Sequence, residues 1–183
     1  MLKFALLGFL SYGPMTGYEL KQRMDRSTTH FWHAKQSQIY TTLKAMEKDG
    51  LVESVIREQR ERPDRRVYVI TPVGTKELQK WLAEPLTELS PKKEHLVLKM
   101  FFSAHQDKQT TLTQLYTQLD LHQKQLVQYQ QRAVKDIEQA AIEFPQLTGD
   151  VKMWKATRKF GERYEEIYVE WIEEMISLIN ESS

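Results

Sequence analysis

The hydrophobic period changes twice within the first 84 residues, and few folds accept that order. Up to Gly50 the apolar residues recur at three- and four-residue steps. Over 51–56 and 67–70 they become short β-branched runs, and from Thr71-Pro72 the helical spacing returns. Between the two runs lies REQRERPDRR, with Pro63-Asp64 as its turn signal, so the pair reads as a hairpin. Punctuation marks the helices. One over 2–12 ends at Gly13-Pro14. A second starts at a capping box, Thr16 with Glu19 three residues on, and runs to about Arg26 with Leu20 and Met24 on one face. After a break at Ser27-Thr28-Thr29 and the aromatic pair Phe31-Trp32, a third helix covers 37–49, and Gly50 supplies its left-handed cap. A fourth starts at Thr71 with proline in its first turn and stops before Pro85.

From Ser90-Pro91 onward only helix is expected, over 91–104, 111–142 and 150–179. In the last, Trp154, Gly161, Tyr164, Tyr168, Trp171, Met175 and Leu178 fall on alternating three- and four-residue steps, with Thr157 as the polar member. Such a stripe favours helix pairing of the coiled-coil type. The predicted fold is therefore mainly α with a small β-hairpin wing: a winged helix-turn-helix over 1–84 and an all-helical dimerisation domain over 90–183.

Composition removes several classes. With 40% hydrophobic and 10% aromatic residues the chain is no disordered tail, and without cysteine it is no disulfide scaffold. The apolar run 4–10 is too short to span a bilayer and lacks a signal cleavage site, so a soluble cytoplasmic protein with no membrane partner is expected. Residues 1–84 carry 14 Lys+Arg against 10 Asp+Glu, a net +4, while 85–183 carry 12 against 15, a net −3. The basic half is the one suited to a polyanion.

No phosphate loop, serine elbow, HExxH or dinucleotide fingerprint occurs, so an enzyme is not expected. His30 and His33 lack a third ligand at a recognisable spacing, which gives no metal site and no cofactor. His122 falls in line with Leu115, Leu119, Leu126 and Tyr129 and reads as a hydrogen-bonded interface residue. Carboxylates are abundant but fall at solvent-face helix spacing, where i,i+4 charge pairs are the ordinary account of them.

The third helix carries the nucleic-acid reading. Ile39, Leu43 and Met46 point inward, leaving Ser37, Thr41, Lys44 and Lys48 as the opposite stripe with Gln38 on its flank. These groups suit base edges and phosphates, although any solvent-facing helix carries similar ones. The hairpin adds Arg57, Arg60, Arg62, Arg65 and Arg66, against three acids in the same ten residues. Guanidinium groups there suit a narrow minor groove, while a solvated charged turn is the plainer alternative. A rival from another class is a helical adaptor that binds only protein.

The segments MTGYELKQRM, FWHAKQSQIYTTLKAMEKDGLVES and RRVYVITPVGTKEL are similar to the winged-helix signature of PadR-family transcriptional regulators. The match runs nearly continuously over 2–82. It departs from the family pattern at Thr41, where proline is usual, and at Pro63-Asp64, which replaces a glycine turn. The segments KKEHLVLKMFF and YVEWIEEMISLI resemble the helical dimerisation domain of the family's longer members. The resemblance implies a homodimeric repressor on a palindromic site in double-stranded DNA. With the surface stripe it gives a DNA-contact set of Lys35, Ser37, Gln38, Tyr40, Thr41, Lys44, Arg60, Arg62, Arg65 and Arg66. Tyr164, Tyr168, Trp171, Met175 and Leu178 would make the dimer.

The spelling FW-x-AK-x-SQIY lies closest to the branch that represses phenolic-acid detoxification genes, which implies a small aromatic acid as effector. A different ligand, or none, stays open. The effector set is Tyr12, Phe31, Trp32, Trp154 and Arg158, aromatics that would line a cavity between the domains and a cation for the carboxylate. Ordinary core packing is the competing account of each aromatic.

Overall fold

The computed structural model describes residues 1–28, 31–57, 65–89 and 93–181. It divides into two compact units, Met1–Leu89 and Ser90–Ser183. Among the described residues no helix is long and apolar enough to cross a membrane.

In the first unit, α1 (Leu2–Leu10) buries Leu6, Leu7 and Leu10 and turns through Gly13, whose φ of +143° disfavours a side chain. Next comes a strand absent from the sequence expectation, β1 (Met15–Thr16), too short to show a period. Helix α2 (Gly17–Ser27) opens on the expected capping box. The Thr16 N–H donates to Glu19 Oε2 at 2.7 Å, and the Glu19 N–H donates to Thr16 Oγ1 at 3.1 Å. The bond from the Thr16 N–H, then that from the Thr16 hydroxyl to the same Oε2 at 2.8 Å, holds the Glu19 carboxyl below its usual range. Helix α3 (Gln36–Lys48) ends as its glycine predicts. Gly50 takes φ +69°, and the Leu51 and Gly50 N–H groups donate to the carbonyls of Met46 and Glu47.

Strands β2 (Val52–Arg57) and β3 (Arg65–Ile70) pair antiparallel from Val52↔Ile70 to Arg57↔Arg65, and β1 adds to the other edge of β3, giving the order β1-β3-β2. Helix α4 (Pro72–Ala83) starts at Thr71, whose hydroxyl accepts from the Gly74 N–H at 3.0 Å. A Cβ on Gly74 would lie 2.1 Å from the Leu51 carbonyl oxygen, so this corner admits only glycine. Phe4 stacks on Trp81 at 4.6 Å, tying α1 to α4.

In the second unit, α5 (His95–Phe101) is shorter than the expected helix over 91–104. Residues 90–92 lie outside the described residues, Glu94 is extended, and a 3₁₀ turn follows at Ser103–His105. Helix α6 (Lys108–Val127) is capped by Asp107, whose Oδ1 accepts from the Thr110 N–H at 2.8 Å. The single helix expected over 111–142 is interrupted by a π-helical turn, Gln128–Arg132, before α7 (Ala133–Glu143). Against α6 lies α8 (Thr148–Glu181), and Leu96, Met100, Leu115 and Ile172 form the apolar centre.

The most enclosed residues of α8 are Val151, Gly161, Glu162, Glu165 and Ile172, and Tyr164, Tyr168, Trp171 and Met175 of the predicted stripe flank them half-buried. One expectation needs correction: Glu162 and Glu165 are not on a solvent face, being 8% and 7% exposed. They stay buried because each has a partner. Glu162 accepts from Arg158 at 2.9 Å and Lys159 at 3.1 Å, and Glu165 meets His122 Nδ1.

Candidate nucleic-acid interface

Helix α3 presents the predicted face because its other side is fixed. Ile39, Leu43 and Met46 are fully buried, which turns Ser37, Thr41, Lys44 and Lys48 outward, all exposed. Shallow surface depressions flank Thr41, one bordered by Lys44, Glu47 and Lys48, the other by Leu2, Ser37 and Gln38. Lys35 is extended at the N-terminal end of the helix and its N–H donates to Gln38 Oε1 at 2.8 Å, so Gln38 already spends its amide oxygen on the cap. Tyr40 is half exposed and seated on α2: a Cβ on Gly17 would lie 2.5 Å from its ring.

On the hairpin, Arg65 and Arg66 are exposed residues of β3 whose side chains leave opposite faces of the sheet. Arg60 and Arg62 lie outside the described residues. Arg66 is already engaged. Its Nη2 donates to Glu47 Oε2 at 2.6 Å and its Nε to Ser54 Oγ at 2.8 Å, while the Ser54 hydroxyl donates to Glu47 Oε1. The hydrogen bond from Ser54, then that from Arg66, holds the Glu47 carboxyl below its usual range, and Glu47 raises the Arg66 guanidinium in turn. Sequence reasoning missed Glu47. The available signal was an acid on α3 facing an arginine-rich hairpin.

The effector candidates fall in both units. Tyr12 and Trp32 are half-buried against the core of the first, and Phe31 is about half exposed beside them in sequence. Trp154 is half-buried on α8. Arg158 Nη1 donates to the Tyr129 carbonyl at 3.1 Å as well as to Glu162, and the π-helical turn carries the Tyr129 carbonyl it meets. The Tyr129 ring lies 2.7 Å from where a Cβ of Gly161 would stand, and burial raises its hydroxyl pKa.

The dimerisation candidates also serve their own chain. Tyr164 and Tyr168 both donate to Glu94, at 2.8 and 3.1 Å, and His122 stacks on Tyr168 at 4.1 Å. Desolvation, with the Glu94 charge, pushes the Tyr168 hydroxyl up to about 12. Tyr168, Trp171 and Met175 pack on the core of the second unit, whereas Leu178 is exposed. Glu94 and Glu165, which organise this cluster, were absent from the sequence expectation.

A recognition helix backed by an apolar core and flanked by an arginine-bearing hairpin defines a DNA-binding winged helix. The model of the PadR-like family of transcriptional regulators matches residues 6–80, and that of the virulence activator alpha C-terminal family matches residues 92–180. Its first unit, over residues 6–80, belongs to the PadR-like family of transcriptional regulators. It is 43% identical over 90 residues to a probable transcriptional regulator of Mycobacterium tuberculosis, a match covering 49% of this chain and 48% of that protein. It is 27% identical over 185 residues to the negative transcriptional regulator PadR of Bacillus subtilis, covering 98% of each. Two crystal structures of the Bacillus subtilis protein superpose well. The one in complex with operator DNA has a TM-score of 0.79 at 24% identity, covering 97% of this chain and 98% of that one. The one in complex with p-coumaric acid has a TM-score of 0.73 at 25% identity, covering 98% of each.

Proposed function

We propose that this transcriptional regulator is a homodimeric cytoplasmic repressor that binds a palindromic site in double-stranded DNA and releases it when a small aromatic acid binds. The exposed stripe Ser37, Thr41 and Lys44, held outward by a fully buried Ile39 and Leu43, carries the reading. In it, Lys44, Thr41, Ser37 and the amide nitrogen of Gln38 meet base edges. Lys35 and Tyr40 flank them on the backbone, and Arg65, with Arg60 and Arg62 of the same basic segment of the sequence, meets phosphate or minor groove.

Fluorescence anisotropy with duplexes tiled from the DNA around the protein's own gene, at two salt concentrations, tests this. A phosphate-binding protein loses affinity steeply with salt, whereas a helical adaptor binds no duplex at all. Lys44→Ala should cost about 1–3 kcal/mol of operator binding if it meets a base.

The dimer rests on α8, where Leu178 is exposed and Tyr164, Tyr168, Trp171 and Met175 line the flank of the buried stripe. A two-fold pair of α3 helices suits half-sites about one DNA turn apart. Truncation after Pro85 should sediment as monomer; a truncated chain that still dimerised would move the interface into the winged helix.

The effector proposal rests on the likeness to a protein solved with p-coumaric acid and on Tyr12, Phe31, Trp32, Trp154 and Arg158. About 3 kcal/mol of coupling would release operator roughly 100-fold. A thermal-shift and operator-release screen of hydroxycinnamic acids beside unrelated planar compounds checks it. Response to the latter alone would replace the phenolic class, and response to neither, with Trp154→Ala still regulated, would leave a repressor without this effector.

A further inference from the structure

An acid on the rim of a phosphate-facing surface repels the ligand, so Glu47 needs a reason to be there. It lies one turn beyond Lys44 on α3 and borders the depression beside Thr41. Its two oxygens meet two different strands: Oε1 accepts from Ser54 on β2 and Oε2 from Arg66 on β3, and Arg66 Nε closes the triangle on Ser54. The Arg66 guanidinium also lies 5.7 Å from the ring of Tyr68, which is buried. Three elements thus share one network: the recognition helix and both strands of the wing.

We infer that Glu47 is a positioning residue for DNA reading, which uses Arg66 as a strut to set the wing against α3 and withholds that arginine from the phosphates. The inference rests on the DNA-binding reading above and sharpens it by separating two neighbours. Arg65, on the other face of β3, belongs to the phosphate-facing cations, whereas Arg66 forms a neutral pair with Glu47. A pair that is neutral as a unit adds no counterion release. It acts on where the wing lies, and so on the preference for operator over other sequence.

The test measures salt dependence of the full-length protein on a random duplex and affinity for its operator, for wild type and variants checked for folding by circular dichroism. Glu47→Gln/Arg66→Gln removes the pair as a neutral unit. The salt slope on random DNA should stay that of wild type, while operator affinity falls about twofold to fivefold. Glu47→Gln alone frees Arg66, so the slope should steepen by about 0.9, making affinity for random DNA fall about threefold more between 50 and 200 mM salt than it does for wild type. Ser54→Ala, which changes no charge, should weaken operator binding at constant slope and serves if the double variant does not fold. A double variant whose slope flattens by about 0.9 would show Arg66 on a phosphate and overturn the inference. So would a Ser54→Ala protein with unchanged operator preference. If wild type binds no duplex in a salt-dependent way, the DNA-binding reading itself fails, an outcome separate from either.

Discussion

In the winged helix the enclosed side chains among the described residues are apolar, apart from the capping Thr71, and the charged pairs Lys3–Glu77 and Glu47–Arg66 stay at the rim. The helical unit instead buries Glu162 and Glu165 along α8 and spends Arg158, Lys159 and His122 on them. Its apolar centre is small, and Glu94 gathers Tyr164 and Tyr168 beside it. An apolar core rewards any close packing of the right volume, whereas a buried carboxylate is tolerated only where its one partner meets it. The second unit therefore joins α8 to α6 partly through a buried polar pair, Glu165 with His122, whereas the first packs by volume.

The largest effects should not distinguish the units. Leu43→Ala in α3 and Leu115→Ala in α6 each empty a site with no exposure, and each should cost about 2–5 kcal/mol in chemical denaturation. A much smaller loss at Leu115 would mean the second unit is loosely packed there. Breaking a charge pair should separate the two. Glu165→Ala strands His122 and should cost about 1–3 kcal/mol. Lys3→Ala, at a half-exposed pair, should leave the melting temperature where it is. Equal losses would remove the contrast.

Two glycines sharpen it further. Gly161→Ala drives a methyl into the ring of Tyr129, which is 3% exposed and has nowhere to move, for a loss of about 1–3 kcal/mol. Gly17→Ala meets Tyr40, 46% exposed, which can swing away. Stability should then change little, and operator affinity should fall instead. Unfolding by Gly17→Ala would show Tyr40 to be a structural rather than a surface residue.

The smallest effect is in pH. Glu19 has its carboxyl held low in the folded chain by the Thr16 N–H and hydroxyl, so its contribution is present above the ordinary value of 4.5 and is lost as pH falls below it. Glu19→Gln should flatten the acid limb of the first unit's stability curve. An unchanged acid limb would dismiss the capping charge as a contributor.

The same contrast explains what was legible in the sequence. The first unit's order followed from period changes, from the Thr16 and Thr71 caps and from Gly50, all local signals tied to backbone geometry. Its one unforeseen strand, Met15–Thr16, has two residues and exists only because β3 offers an edge. In the second unit the burial of Glu162 and Glu165 on α8 was not foreseen, because carboxylates at helical spacing were assigned to solvent. Burial of Glu165 depends on His122, 43 residues away in sequence, which no local spacing reports. For the interface, the outward face of α3 was readable from Ile39, Leu43 and Met46. The engagement of Arg66 was not, since it joins residues 12 and 19 positions apart on three elements.

The central claim is that α3 of this regulator reads DNA through the Lys44 face, in a pair of chains. The most direct measurement is an anisotropy titration of the full-length protein on duplexes tiled from around its own gene, with wild type and Lys44→Ala compared and stoichiometry taken from sedimentation. The account predicts one preferred tile bound by two chains, affinity that falls steeply with salt, and a preference for that tile cut by about 10- to 100-fold in Lys44→Ala while random-sequence binding persists. Salt-insensitive binding, or a preference for one tile that survives Lys44→Ala intact, would contradict it.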